Sequence, residues 1–186
     1  MLSFLETFQA GARQAVLASM PLASIEALDA GGRTGWFPLQ HDRWIAEGMI
    51  AVLGPERAVQ CWRACVPAMV DKPLLRSFVS GMLRLFDNDR QRIVRLFPNG
   101  WPLIYRDFCT VELVETHPAR AVIAFSDIAP AVRDHPSYFH AFHGVIQGFC
   151  DFAGLSGAIF KVAEDAWSAR AQLYWDNADP SGPRAQ

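Results

Sequence analysis

His135-Pro-Ser-Tyr-Phe-His-Ala-Phe-His-Gly-Val-Ile-Gln-Gly-Phe-Cys-Asp-Phe-Ala153, then Gly157-Ala-Ile-Phe-Lys-Val-Ala163 and Trp167-Ser-Ala-Arg-Ala-Gln-Leu-Tyr-Trp175, decide how this chain folds. In the first segment the apolar residues Phe139, Phe142, Val145, Ile146, Phe149 and Ala153 recur at three- and four-residue spacing, the period of an amphipathic helix. In the last segment the period drops to two. Trp167, Ala169, Ala171, Leu173 and Trp175 alternate with Ser168, Arg170, Gln172 and Tyr174, which assigns one set to a core face and the other to water. Gly157–Ala163 reads as the partner strand, with Glu164-Asp165-Ala166 as the turn.

Upstream, Phe108–Glu115 and Arg120–Phe125 are β-rich and flank a His117-Pro118 turn, so they read as an earlier hairpin. The C-terminal portion is thus strand-strand-helix-strand-strand. Before it lies a string of helices. Ser3 caps one running to about Ser19, and Ala23–Ala30 forms a short one. Pro38–Leu53 and Pro55 to about Met69 follow, separated by Gly54. Asp71 caps a helix to about Phe86, and Asp87 or Asn88 caps another that stops before Pro98. Helices followed by strands predict an α+β fold: an N-terminal helical half packed on a four-stranded antiparallel sheet. One domain over residues 1–176 and a disordered tail over 177–186 are expected.

Composition excludes several function classes. The 186 residues are 51% hydrophobic with a net charge of -2, which fits a globular protein and offers no field for nucleic acid or an anionic membrane. No apolar run is long enough to span a membrane, and Met1-Leu-Ser-Phe-Leu-Glu6 lacks the basic start of a signal peptide. Cys61, Cys65, Cys109 and Cys150 have no disulfide-framework spacing and read as reduced, mostly buried thiols of a cytoplasmic protein.

The chemistry-bearing residues are sparse. Gly31-Gly-Arg-Thr-Gly35 lacks the Gly-Lys-Ser/Thr of a phosphate loop and reads as a helix terminator. Cys61 and Cys65 share a helix face, but zinc needs four ligands and the other two cysteines lie far along the chain. His140 and His143, one turn apart, continue with Gln147 and Asp151 as a polar stripe. Asp151 lies roughly 12 Å beyond His143 at 1.5 Å per residue, so no carboxylate completes a metal site and a solvated face is the plainer reading. No metal and no cofactor are therefore expected. Gly144 and Gly148 each cost a helix about 1 kcal/mol against alanine, which implies close approach of the sheet, a neighbouring helix or a second subunit. Trp36 and Trp101 stand with 13 Phe and 6 Trp in all, enough aromatic surface to line an apolar cavity or a partner surface as well as fill a core. No nucleophile elbow, His-Glu-x-x-His or paired acid/base motif is present, so no catalytic residue is assigned.

Several weak motifs carry a family resemblance across most of residues 1–176. They are Trp44–Gly54 with Pro55-Glu-Arg-Ala58, Pro73-Leu-Leu-Arg76, Leu96-Phe-Pro98 with Trp101, Gly144–Gly148, and Gly157–Trp175. The chain resembles a superfamily of heme-nitric-oxide-binding sensors, vinyl reductase ligand-binding domains and TRAPP transport subunits. Within it the chain is most similar to a mainly myxobacterial family of uncharacterised paralogous proteins. The heme branch uses a histidine on a helix ahead of the sheet and a Tyr-x-Ser-x-Arg motif; here Asp71–Tyr105 holds no histidine, and none of Tyr105, Tyr138 and Tyr174 begins that motif. The resemblance implies a non-catalytic intracellular binding module for signalling. It would sense a small apolar ligand or join protein partners, a homodimer included, with His140, His143, Gly144, Gly148, Trp36 and Trp101 as ligand or interface candidates. The alternatives are a heme or gas sensor, and an enzyme whose site is assembled from dispersed residues.

Overall fold

A computed structural model describes residues 5–30, 38–70, 81, 89–163 and 166–175. In chain order its elements are α1 (Leu5–Phe8), α2 (Ala12–Ala18), α3 (Leu22–Ala30), α4 (Leu39–Leu53), α5 (Pro55–Val70), α6 (Arg90–Arg95), α7 (Phe97–Gly100) and a 3-10 turn (Trp101–Leu103). Then come β1 (Thr110–His117), β2 (Arg120–Ser126), α8 (Pro130–Arg133), α9 (Pro136–Phe152), β3 (Gly157–Val162) and β4 (Ala169–Tyr174). The fold is α+β, helical in its N-terminal half, with one four-stranded antiparallel sheet of order β1-β2-β4-β3.

Side-chain size explains how α9 seats on the sheet. Across the central pair Ile123 faces Ala171, Phe125 faces Ala169 and Leu173 faces Ala121, all six fully or almost fully buried. A large side chain opposite an alanine leaves a hollow at each step. Phe142 of α9 fills one, edge-on to Phe125 at 4.9 Å and to Phe160 at 5.1 Å. Burying a phenylalanine this completely contributes about 1.5–3 kcal/mol. The cluster continues through Trp101, Phe108, Tyr138 and Phe97.

The opposite side of α9 packs on α5. A Cβ on Gly144 would lie 2.5 Å from the Val59 carbonyl oxygen and 2.6 Å from Trp62 Cβ; one on Gly148 would lie 2.6 Å from the Arg63 carbonyl oxygen. Only glycine permits this approach. Pro67 sits inside α5 and has no N–H to offer the carbonyl four residues back, which is that of Arg63. Of the partners the glycine spacing left open, the neighbouring helix is the one found. At the edge of this contact Arg63 and Asp151 form a bidentate ion pair at 2.5 and 2.6 Å.

Several boundaries differ from the sequence expectation, each for a local reason. The single helix to Ser19 is two, because Gly11 takes a left-handed conformation (φ +74°) between α1 and α2. The Glu6 carboxylate accepts hydrogen bonds from the Gly11 and Arg13 backbone N–H groups at the start of α2. Asp89 caps α6, accepting from the Arg92 backbone N–H. Helical backbone resumes at Phe97 through Pro98, which fits a first-turn position where its missing N–H costs nothing. β1 begins at Thr110; Asp107 has φ +53° and turns Phe108 into the core. Trp167 precedes β4 and is 52% exposed, so the buried alternation starts at Ala169. The Ser3 cap, the glycine loop, Trp36, the Asp71 helix, the Asp87/Asn88 cap, Glu164-Asp165 and the tail over 177–186 lie outside the described residues.

Candidate functional site

The polar stripe of α9 opens onto a groove. Its volume is about 390 Å³, and its described lining comes from the first half of α9, from β3, and from Arg133, Ala163 and Ala166. His140 and His143 lie along one wall with Phe139; Phe160 and Val162 supply the other; Arg133, from the end of α8, closes one end. β3 is an edge strand of the sheet, so one of its long sides has no neighbouring strand among the described residues.

Each side chain at the groove is held differently. His143 stacks on Phe160, ring centroids 5.8 Å apart at 19°. Its Nε2 is 2.9 Å from the Gln147 amide nitrogen; with the amide donating, the ring proton sits on Nδ1. Burial lowers the His143 pKa, and the neighbouring His140 lowers it further, so neutral imidazole is the form present at neutral pH. His140 itself is exposed. The Arg133 guanidinium lies 3.7 Å over the Trp167 ring, and its Nε donates to Asp134 at 3.2 Å. Its Nη1 is buried and has no hydrogen-bond partner.

A second polar cluster ties α4 to the start of α9. The Tyr138 hydroxyl donates to Asp42 at 2.9 Å, and the Tyr105 side chain lies beside the pair. Burial pushes the Asp42 carboxyl up to about 6, against the lowering effect of the Tyr138 bond. Beside it, His135 Nδ1 is 2.8 Å from the Glu47 carboxylate and its Nε2 is 2.7 Å from an Arg43 guanidinium nitrogen. Arginine only donates, so Nε2 accepts and the proton stays on Nδ1 toward Glu47. His135, the residue just before α9, is fixed by two α4 side chains.

The sequence candidates separate into three groups. His140 and His143 meet in the groove. Gly144 and Gly148 face α5 within the same chain. Trp101 is 4% exposed and stacked on Tyr105 at 4.7 Å, a core position. Sequence reasoning missed Arg133, Phe160, Asp42 and Tyr138. Phe160 carried a signal, as a large apolar residue of the run read as the partner strand, but Asp42 and Tyr138 are 96 residues apart and carried none.

Of the cysteines, Cys61, Cys65 and Cys150 are buried and Cys109 is partly so, all as free thiols. The hydrogen bond to Cys65, together with burial, pushes the Cys61 thiol up; burial takes Cys109 and Cys150 to about 12. Among the described residues no three His, Cys, Asp or Glu side chains converge on a point. No described helix is long and apolar enough to cross a membrane.

No protein-family model matches the chain, and no curated protein does. Solved structures do. An Fe(II) unliganded H-NOX protein from K. algicida superposes with TM-score 0.64 at 13% identity, over 94% of this chain and 92% of that one. The fold is that of H-NOX proteins. A point mutant of T. tengcongensis H-NOX gives TM-score 0.57 at 12% identity over 95% and 93%. Cs H-NOX bearing an unnatural amino acid gives 0.58 at 10% over 95% and 92%. At these identities the likeness is one of fold.

The H-NOX fold brings heme into question, and the residues of this chain do not fit heme held as the resemblance implies. The region Asp71–Tyr105 has no histidine. Among the described residues ahead of the sheet, His41 is the one imidazole, and its Nδ1 is 2.7 Å from the Ser24 hydroxyl. Tyr138 is committed to Asp42, and Tyr105 is stacked on Trp101. Between α9 and the sheet the described core is filled by the rings of Trp101, Phe108, Phe125 and Phe142 at centroid distances of 4.9–5.8 Å.

Proposed function

We propose that this chain is a sensor domain of the H-NOX fold, acting in the cytoplasm through residues 1–176 as one unit. It binds a small ligand without chemical turnover and passes the bound state to a protein partner. The observation that carries this reading is the match of fold to H-NOX proteins over more than nine-tenths of both chains. The neighbours' printed names speak of heme and of Fe(II), so the comparisons favour a heme or gas sensor over an apolar-ligand module. The chain's own side chains favour a sensor that works without heme: the axial histidine and the Tyr-x-Ser-x-Arg motif are both missing.

Protein purified from its own host decides among these readings. The expected result is no Soret band, no stoichiometric iron by elemental analysis, and a small molecule or partner protein retained in native mass spectrometry. A Soret band with one iron per chain moves the assignment to the gas sensor. Turnover that a single polar substitution abolishes moves it to an enzyme.

A further inference from the structure

We propose that β3 takes up an extended segment of a partner protein as a fifth strand of the sheet. The segment carries apolar residues at alternate positions and an acid between two of them. The inference deepens the sensor reading above by placing its protein partner, and rests on that reading for the partner's role; the docking edge itself stands on strand register and charge.

β3 pairs with β4 on one side, and among the described residues no strand pairs with the other. The Ala163 N–H donates to the Ser168 carbonyl across the hairpin at 2.9 Å. Backbone groups alternate in direction along an antiparallel strand, so Lys161 and Ile159 also turn theirs toward β4. Val162, Phe160 and Ala158 then turn their N–H and C=O groups to the open edge. Their side chains share one face, because they stand opposite Ala169, Ala171 and Leu173, all buried. The groove lies on that face, with Phe160 and Val162 in its lining beside Phe139, His140 and His143 of α9. A strand hydrogen-bonded to the three edge residues points every second side chain the same way. Main-chain bonds supply the grip of such strand addition, and pockets for alternate side chains supply its selectivity. Apolar side chains suit the ring surface that Phe160 and Phe139 offer here.

Charge on the outer face selects the acid. The register places Glu112, Ala124, Arg170 and Lys161 in one row across all four strands. Lys161 and Arg170 are direct neighbours, both exposed, and neither has an ion pair with a described residue. Like charges directly opposite weaken a sheet. The row's one acid, Glu112, is three strands from Lys161, roughly 14 Å at about 4.8 Å per strand. A carboxylate on the added strand opposite Lys161 would stand one spacing away and balance the pair. A second copy is the poorer occupant. Its β3 would bring another Lys161 to the edge, and its β1, which holds Glu112, is interrupted by a bulge between Leu113 and Glu115; edge lysines and bulges both discourage strand pairing between copies.

The probe is the peptide acetyl-Ser-Val-Glu-Leu-Thr-Val-Ser-amide, whose antiparallel alignment sets its Glu opposite Lys161 and its Leu opposite Phe160. A second peptide has Lys in place of Glu. A third has N-methyl-Leu, which removes the amide proton that would meet the Phe160 carbonyl. Each is titrated into the isotope-labelled full chain while amide shifts are followed by NMR. The Glu peptide should give saturable shifts at residues 158–162 and bind about fivefold more tightly than the Lys peptide, an attraction being exchanged for a repulsion. The N-methyl peptide should not bind. Lys161→Glu, a change at an exposed position, should cancel the preference for the Glu peptide. Equal binding of the Glu and Lys peptides, full binding of the N-methyl peptide, a preference that Lys161→Glu leaves unchanged, or no saturable shifts along β3 up to the solubility limit would overturn the proposal. Self-association of the chain that Lys161→Glu abolishes would give the edge to a second copy and overturn it as well. A chain that retains a small molecule from its host yet ignores the peptides sinks this inference and leaves the sensor reading standing. Turnover without any partner sinks the sensor reading, while saturable peptide shifts along β3 keep the docking edge.

Discussion

Asp42→Asn tests the polar link between α4 and α9 directly. In the folded chain the Asp42 carboxyl titrates at about 6, against its ordinary 3.8, and burial is the larger cause. The folded state therefore holds a proton that the unfolded chain has already released between about pH 4 and 6. Stability from this residue is complete below about 4 and is lost as pH rises through about 6. The rise corresponds to about 3 kcal/mol at 1.36 kcal/mol per pH unit. That is an upper bound, because Asp42 is only partly buried and keeps some solvent contact. Asparagine stays neutral at every pH and keeps a carbonyl oxygen to accept from Tyr138. Urea unfolding of both proteins at steps from pH 4 to 8 reads the difference, and carboxylates elsewhere cancel in the subtraction. The two proteins should be nearly equal at pH 4. The variant should gain on the native protein up to about pH 7 and hold a gain of at most about 3 kcal/mol above it. Parallel stability curves across this range would refute the reasoning, because the pH dependence would then belong to other groups.

Gly148→Ala gains about 1 kcal/mol of helix propensity, yet its Cβ would meet Val66 and the Arg63 carbonyl oxygen. Overpacking against backbone should make it a net loss of about 1–3 kcal/mol, read by thermal unfolding. Phe142→Ala empties the centre of the aromatic cluster and should cost about 3–5 kcal/mol, seen as a lower denaturant midpoint. Asp151→Asn breaks the bidentate pair with Arg63, but both partners are about half exposed, so the loss should stay within about 1 kcal/mol and shrink further in high salt.

What could be read from the sequence was what depends on near neighbours. The three-and-four spacing from Phe139 and the alternation from Ala169 are local patterns, and α9, β3 and β4 stand within a residue or two of their expected places. Phe108 shows the limit: Phe-Cys-Thr-Val reads as strand, but a left-handed Asp107 redirects the chain, and no pattern in the run marks it. The Gly144/Gly148 spacing demanded a close neighbour without naming it, because the partner helix is set by packing some 80 residues away in the chain. The candidate site was half legible. His140 and His143 stand out as a pair on a helix. The donor that distinguishes their groove, Arg133, comes from a single short turn of helix whose placement depends on Trp167 across the β3–β4 hairpin. Asp42 looked like a first-turn helix acid, and only the fold brings Tyr138 onto it.

The seating of Gly144 and Gly148 on α5 has a mechanical consequence. Helices separated by side chains can shift against each other as rotamers change, because the layer between them yields. Here the α9 backbone rests directly on the α5 surface, against the Val59 and Arg63 carbonyls and the inner carbons of Trp62 and Val66. So close a contact leaves little room for sliding, which ties α5 to α9. One side of the tied pair carries His140 and His143; the other meets α1 and α4. A displacement of α9 is therefore shared by α5 and reaches the helices packed on it.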